Sequence, residues 1–395
     1  MRGNVAAQSS PATERGGKSS CRCPEYHSDV STTWYRRRWG RVGLVVTGVL
    51  LAAALVARWA LHRYTDERRV ARQIAAALAL PSDTLVRIAS TRFSVFGRSF
   101  TARDLRITID SVAGGRRIRY ALGVDTVRLD GIDLRAWLRG AVLVSTVTAD
   151  GLSLDVRLDR RHGGGRPGGE VRLLHSVLQR LPQPVRLDTV RVRGGAVRYE
   201  ETAADGVRPG VLVLDRIAAT AVNLTNDRHR MTDSTRAVID VRMRIAEAGT
   251  VTARLAYDLM APELTIAYLG SVGRMPMAAF NPILVDLAGI RVTDGTLDTA
   301  WVAVDVLDNV ARGRLTVRYH DLALEILDKA THERGLGDHV RTFIGANFVL
   351  QEANPAEPDG ALREGALVRR RSPEVPLVRF IWETLREGIK ETVGL

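Results

Sequence analysis

Cysteine is nearly absent from this chain. Cys21 and Cys23 are the only two in 395 residues, and both stand before the first long apolar run. The bulk of the chain therefore has no disulfide framework and no thiol nucleophile. Aromatic residues make up 5% of the sequence, too few for the stacked platforms that hold unpaired bases or sugars. Lysine is scarcer still: Lys18, Lys329 and Lys390 are the whole complement, so the basic charge is almost all arginine. The net charge of +13 is unevenly spread. Residues 1–72 hold 13 basic against 5 acidic side chains, and the rest of the chain holds 44 against 39. That is a mixed surface rather than a basic groove, and it argues against a nucleic-acid partner.

Catalytic patterns are missing too. No G-x-S-x-G elbow occurs. The GGGRPGG segment at 163–169 lacks the Gly-Lys-Ser/Thr ending of a phosphate loop and reads as a connector. His332, Glu333, Asp338 and His339 are the closest thing to a ligand cluster. Gly335 and Gly337 break the helical spacing that a zinc site would use, so the segment reads as a solvated loop. Cys21 and Cys23 follow no apolar stretch and read as part of an inert tail. Asp188, Asp215, Asp294, Asp298 and Asp305 fall on strand edges or turns, with no spacing that pairs two of them as acid and base. The expectation is a non-enzyme with no metal and no cofactor.

Long apolar runs are reduced to one. Val42 to Leu61 reads VGLVVTGVLLAAALVARWAL, uncharged until Arg58. Twenty helical residues span about 30 Å, the hydrocarbon thickness of a bilayer. Trp39 and Trp59 flank the run at the depth that Trp prefers, and Arg58 can reach the interface. A cleaved signal peptide fits less well. Forty-one residues precede the run, and no small-residue cleavage site follows it. Arg36, Arg37, Arg38 and Arg41 before the run nearly balance Arg58, Arg63, Arg68, Arg69 and Arg72 in or after it, so charge alone leaves orientation open.

After the run, residues 66–80 read as a helix stopped by Pro81. The period then changes to two. Leu152, Leu154, Val156 and Leu158 alternate with polar neighbours, as do Ile239, Val241, Met243 and Ile245, and then Val251, Ala253, Leu255, Tyr257 and Leu259. These are half-buried antiparallel strands with one apolar face. Roughly fourteen are expected; at about 4.8 Å each, one continuous sheet would run on the order of 65 Å. Four segments share a form: DTVRLDGIDL (125–134), STVTADGLSL (145–154), DTVRVRGGAVRY (188–199) and IRVTDGTLD (290–298). Each reads as strand, glycine turn, strand, with glycine supplying a positive φ. Val171, Leu174, Leu178 and Leu181 form one amphipathic stripe before Pro182. A second helix closes the chain, with Leu377, Ile381, Leu385 and Ile389 on one side beside Val378 and Trp382. It reads either as a cap packed on the sheet or as a plug or partner surface.

The C-terminal third carries a resemblance. FNPILVDLAGIRVTDGTLDTAWVAVDV (280–306) joins an Asn-Pro, a short apolar helix, a glycine and a strand pair. ARGRLTVRYHDLALEIL (311–327) and NPAEPDGALREGALVRRR (354–371) follow, and the final helix carries Gly388, Lys390, Thr392 and Gly394 as G-x-K-x-T-x-G. With the apolar run and the β repeats, this resembles the AsmA-like family of bacterial envelope proteins, in its branch with that ending. The likeness covers about residues 40–395 and is specific in the last 115. It implies an inner-membrane anchor with the N-terminus cytoplasmic, a periplasmic β-rich bulk, and kinship with bridge-like lipid-transfer proteins whose sheet holds acyl chains in an apolar groove. This chain is shorter than the bridging members, which favours a partner protein, an oligomer or a regulatory role.

The reading that follows is a mainly β protein in five parts. A disordered basic tail (1–40) leads to a transmembrane helix (41–62) and a juxtamembrane helix (63–81). A repetitive amphipathic β domain (82–270) and an AsmA-like β region with a terminal helix (271–395) complete it. The expected architecture is an elongated antiparallel sheet, and the expected function is binding or transfer of phospholipid along an apolar groove in envelope or outer-membrane assembly. Groove-lining candidates are Leu152, Leu154, Val156, Ile239, Val241, Met243, Ile245, Leu255, Tyr257 and Leu259; separately, Leu377, Ile381, Trp382, Leu385 and Ile389 are the candidate residues of the C-terminal helix. Alternation does not tell an open groove from a closed core. A non-enzymatic scaffold that positions other envelope proteins is the alternative.

Overall fold

Long alternating strands with few helix signals give one sheet. The computed structural model describes residues 85–94, 96–113, 116–161, 173–230, 236–327, 351–357, 359–373, 375 and 377–393. The expected transmembrane and juxtamembrane helices, Cys21 and Cys23, the 163–169 connector and the His332–His339 segment lie outside them. All described residues belong to one unit, residues 33–395.

The strands are β1 (Leu85–Ser94), β2 (Ser99–Ala113), β3 (Arg116–Ile132), β4 (Val142–Asp159), β5 (Val185–Thr202), β6 (Pro209–Thr225), β7 (Ala237–Ile245), β8 (Gly249–Tyr257), β9 (Ile266–Val272), β10 (Met275–Pro276), β11 (Ile290–Leu307), β12 (Val310–Ile326) and β13 (Glu364–Arg370). Short helices α1 (Leu134–Leu138), α2 (Leu174–Gln179) and α3 (Asn281–Ala288) interrupt them, and α4 (Leu377–Val393) follows β13. Spatial order follows chain order, from β1 through β9 to β11, β12 and β13, with β10 paired to β11. Every pairing is antiparallel except one. β4 and β5 run parallel, joined by a crossover that contains α2. The sheet is therefore mixed, where the sequence predicts a purely antiparallel one.

The repeat glycines do not make hairpin turns, as the sequence predicts, but sit inside continuous strands. Gly131, Gly151 and Gly194 have φ of 70°, 65° and 64° within β3, β4 and β5. Register aligns these irregular positions into two rows across the sheet. Asp104, Asp125, Gly151 and Gly194 are neighbours from β2 to β5, and the β5–β6 register shifts on either side of the Gly195–Ile217 pair, next to Arg216 of β6. Gly131, Ser145, Asp188 and Asn223 form the second row from β3 to β6. Asp104, Arg216 and Asn223 also have positive φ. The repeat now has a structural meaning. Its first residue (Asp125, Ser145) stands opposite the glycine of the neighbouring copy. A Cβ on Gly151 would lie 2.0 Å from an Asp125 carboxylate oxygen, and one on Gly131 would lie 2.6 Å from the Ser145 hydroxyl.

Each such position resets the two-residue alternation, as a bulge does. Buried residues on β3 are Tyr120, Leu122 and Val124, then Val127 and Leu129, then Ile132. The apolar face thus stays on one side along strands of 17 and 18 residues.

That face is covered because the sheet bends back over it. Arg160, at the end of β4, interacts electrostatically with Arg379 of α4, and α4 packs on β12 and β13. In a flat sheet, the eight strand spacings from β4 to β13 would put them about 40 Å apart. Residues from every described strand except β10 share one apolar core, with Val124, Leu129, Val147, Leu259 and Phe380 fully buried. A second, smaller core gathers Met275, Val292, Leu297, Tyr319 and Leu322. β1 and β13 are not paired to each other, so the described strands do not close into a barrel.

Helix α4 turns a different side to the sheet from the one its bulky residues suggest. Its buried residues are Phe380, Glu383, Thr384, Gly388 and Thr392. Leu377, Ile381 and Leu385 are half-buried beside the first core, and Trp382 and Ile389 are 55% and 37% exposed. Small residues set the contact. A Cβ on Gly365 of β13 would come within 2.4 Å of the Gly388 carbonyl oxygen, so strand and helix touch backbone to backbone. The Tyr319 hydroxyl donates to the Thr392 carbonyl at 3.4 Å. Among the described residues no helix is long and apolar enough to cross a membrane.

Candidate functional site

The site is built by register on the apolar face of the middle strands. Ala219 (β6), Val241 (β7), Ala253 (β8), Gly270 (β9) and Val302 (β11) are successive cross-strand neighbours. The next row along the strands is Met243, Val251, Val272 and Ala300. All nine are half-buried. On one side lies a fully buried row, Ala237, Tyr257, Ile266, Val306 and Ala311, which belongs to the first core. On the other side Met275, Leu297 and Tyr319 belong to the second core. Between them Ile217, Ala219, Ile239, Val241, Met243, Val251 and Ala253 pack into neither.

The result is an apolar strip left open between two closed cores. It carries no charged side chain. From β6 to β11 it crosses four strand spacings, about 19 Å, longer than the roughly 15 Å that one lipid tail spans in a bilayer leaflet. Small side chains at Ala219, Ala253 and Gly270 keep its middle shallow. Tyr268 of β9 borders it, with its hydroxyl buried and unpartnered among the described residues and its pKa raised by desolvation.

The ten strand candidates therefore separate into three groups. Leu154, Val156, Tyr257 and Leu259 are buried in the first core, and Leu152 and Leu255 are half-buried against it. Ile245 packs against the second core. Ile239, Val241 and Met243 lie on the open strip. The sequence reading missed Ala219, Val251 and Val302. Their strands alternate like the rest, but only the register shows that they join Val241 and Met243.

A polar cluster fixes α4 near the ends of β4 and β5. The Tyr199 hydroxyl donates to Glu201, which also pairs with Arg160. Glu383 accepts from both Arg379 and Arg369. Burial lowers the pKa of Arg160 and Arg379, while neighbouring carboxylates oppose that shift. On the outer face the carboxylates are taken by arginines. Asp215 and Asp240 are held below the usual carboxylate range by hydrogen bonds from Arg244 and Arg254. Asp188 pairs with Arg186, and Asp298 with His320 at 3.0 Å. Among the described residues no group of three or more His, Cys, Asp or Glu side chains converges as a metal site would require.

Comparison with known protein families finds no matching family model, and comparison with curated proteins finds no matching sequence.

Proposed function

We propose that this chain is a membrane-anchored envelope protein, facing the periplasm of a bacterial inner membrane, that holds phospholipid acyl chains on the open apolar strip. The observation that carries this reading is the contrast between the strip and its flanks. Rows on either side are sealed to a few per cent exposure, yet Val241, Met243, Val251 and Ala253 remain half-open on the same face. A tail covering about 100 Å² of such surface would gain roughly 2.5 kcal/mol, while its head group stays in water. Binding of this kind needs no catalytic residue. The apolar run at Val42–Leu61 supplies the expected anchor.

The test is photocrosslinking in cells with a probe at Val241 or Met243, and with Arg242 as the outward-facing control. Phospholipid adducts at the first two positions and none at the third are expected. Folded protein without adducts at either would shift weight to a scaffold that positions other envelope proteins. Trp382 and Ile389, exposed on α4, favour that second reading, which a stoichiometric partner co-purifying without lipid would support.

A further inference from the structure

The polar face of the same strands holds a basin of about 690 Å³. Arg191 and Arg193 of β5 line one end and Trp301 of β11 the other, with Arg242 between. On this face carboxylates usually hold the arginines. Arg254 donates to Asp240 through two bonds of 2.7 and 3.1 Å, and Arg244 is bound the same way by Asp215.

Arg191, Arg193 and Arg242 differ. Among the described residues none has a carboxylate within ion-pair distance, although Asp150 stands beside Arg193 on β4. Arg193 and Arg242 sit two strands apart, about 10 Å, so their guanidinium groups can meet on one anion. Three unpaired cations in one basin repel each other, and a bound oxyanion would relieve that repulsion.

The other end of the basin has different chemistry. Trp301 and Leu269 are 50% and 57% exposed, diagonal neighbours on adjoining strands. Trp301 continues the row of Arg242, Thr252 and Ser271, three strand spacings or about 14 Å from Arg242. The two hydroxyls between them, 2.7 Å apart, offer neutral hydrogen bonds. The volume lies within the range of small-molecule sites, about 300–1,000 Å³.

We propose that this basin binds a phosphate ester, with its oxyanion among Arg191, Arg193 and Arg242 and its apolar or aromatic body over Trp301 and Leu269. By side-chain alternation the site is on the opposite face from the acyl strip, and Ala219, Val241, Ala253 and Gly270 of the strip border it from beneath. Its ligand is either a phospholipid head group or a soluble aromatic phosphate, since both present an oxyanion next to an apolar body.

The experiment is calorimetric titration of the full chain in neutral detergent with two probes, dihexanoyl phosphatidylglycerol and naphthyl phosphate. Dihexanoyl glycerol and naphthol, which lack the phosphate, serve as uncharged counterparts. At least one anionic probe should bind tighter than its counterpart, and Arg242→Gln or Arg191→Gln should weaken it about tenfold or more. Trp301→Ala should weaken the same probe but leave inorganic phosphate binding unchanged. Arg117→Gln, in the separate Asp110 pair, should have no effect. Binding of the lipid probe alone identifies a head-group site; naphthyl phosphate binding at least as tightly identifies a soluble ligand. Neither anionic probe exceeding its counterpart, or equal binding by folded Arg242→Gln and Arg191→Gln, would overturn the proposal.

Discussion

At the scale of single residues, the glycines of the repeat do the most to shape the fold. Gly151 holds φ of 65° in the middle of an 18-residue strand. Any L side chain there meets the left-handed penalty, about 1 kcal/mol for alanine and more for a β-branched residue. Asp125 adds a clash, although its exposed carboxylate can swing aside. Gly151→Asn should therefore cost least, Gly151→Ala about 1–2 kcal/mol, and Gly151→Val the most. The order of urea midpoints checks this. Equal midpoints for Asn and Val would mean that the backbone there is not held in the left-handed region. The repeat and its glycines were visible in the sequence. Their role was not, because a positive-φ residue looks the same in a turn and in a bulge. Only the register shows that Gly151 faces Asp125 while Gly131 faces Ser145.

At the scale of elements, α4 shows why a bulky stripe misleads. Leu377, Ile381, Leu385 and Ile389 mark a helix at i, i+4 spacing, and the helix is there. Its rotation is decided by Gly388, Thr384 and Thr392, small enough to let the helix approach β13. Hydrophobicity scores such residues low, so the contact face reads as a flank. Gly388→Leu should push the helix off the strand, because even a Cβ there would lie 2.5 Å from Leu367. The expected cost is about 1–3 kcal/mol of overpacking, with weaker hydrogen-exchange protection in residues 377–393. Ile389→Ser, on the exposed side, should change stability by less than about 0.5 kcal/mol. The reverse order would place Ile389, rather than Gly388, against the sheet. The parallel β4–β5 pairing was likewise hidden. A hairpin and a short crossover differ in the path of residues 160–184, not in the alternation of the strands that they join.

At the scale of the whole molecule, strand alternation was legible throughout, and the sheet followed from it. Which apolar residues stay open was not. Val156 and Val241 occupy equivalent places in their local patterns, valine between polar neighbours on a strand. Val156 is 3% exposed because the far end of the sheet folds over it. Val241 is half-open because its strand spans the gap between two cores. That difference is made by residues distant in sequence, so no local window contains it. The same carboxylate separates the two positions. At Val156 a buried, unpaired charge should cost several kcal/mol and abolish cooperative unfolding. At Val241 the charge can reach water, so Val241→Asp should keep most of the stability. If the strip holds acyl chains, Val241→Asp should also strip co-purifying phospholipid from the folded protein, as read by mass spectrometry of its organic extract. Unfolding by Val241→Asp as complete as that by Val156→Asp would mean that the strip is closed, and the acyl-binding reading would fall with it.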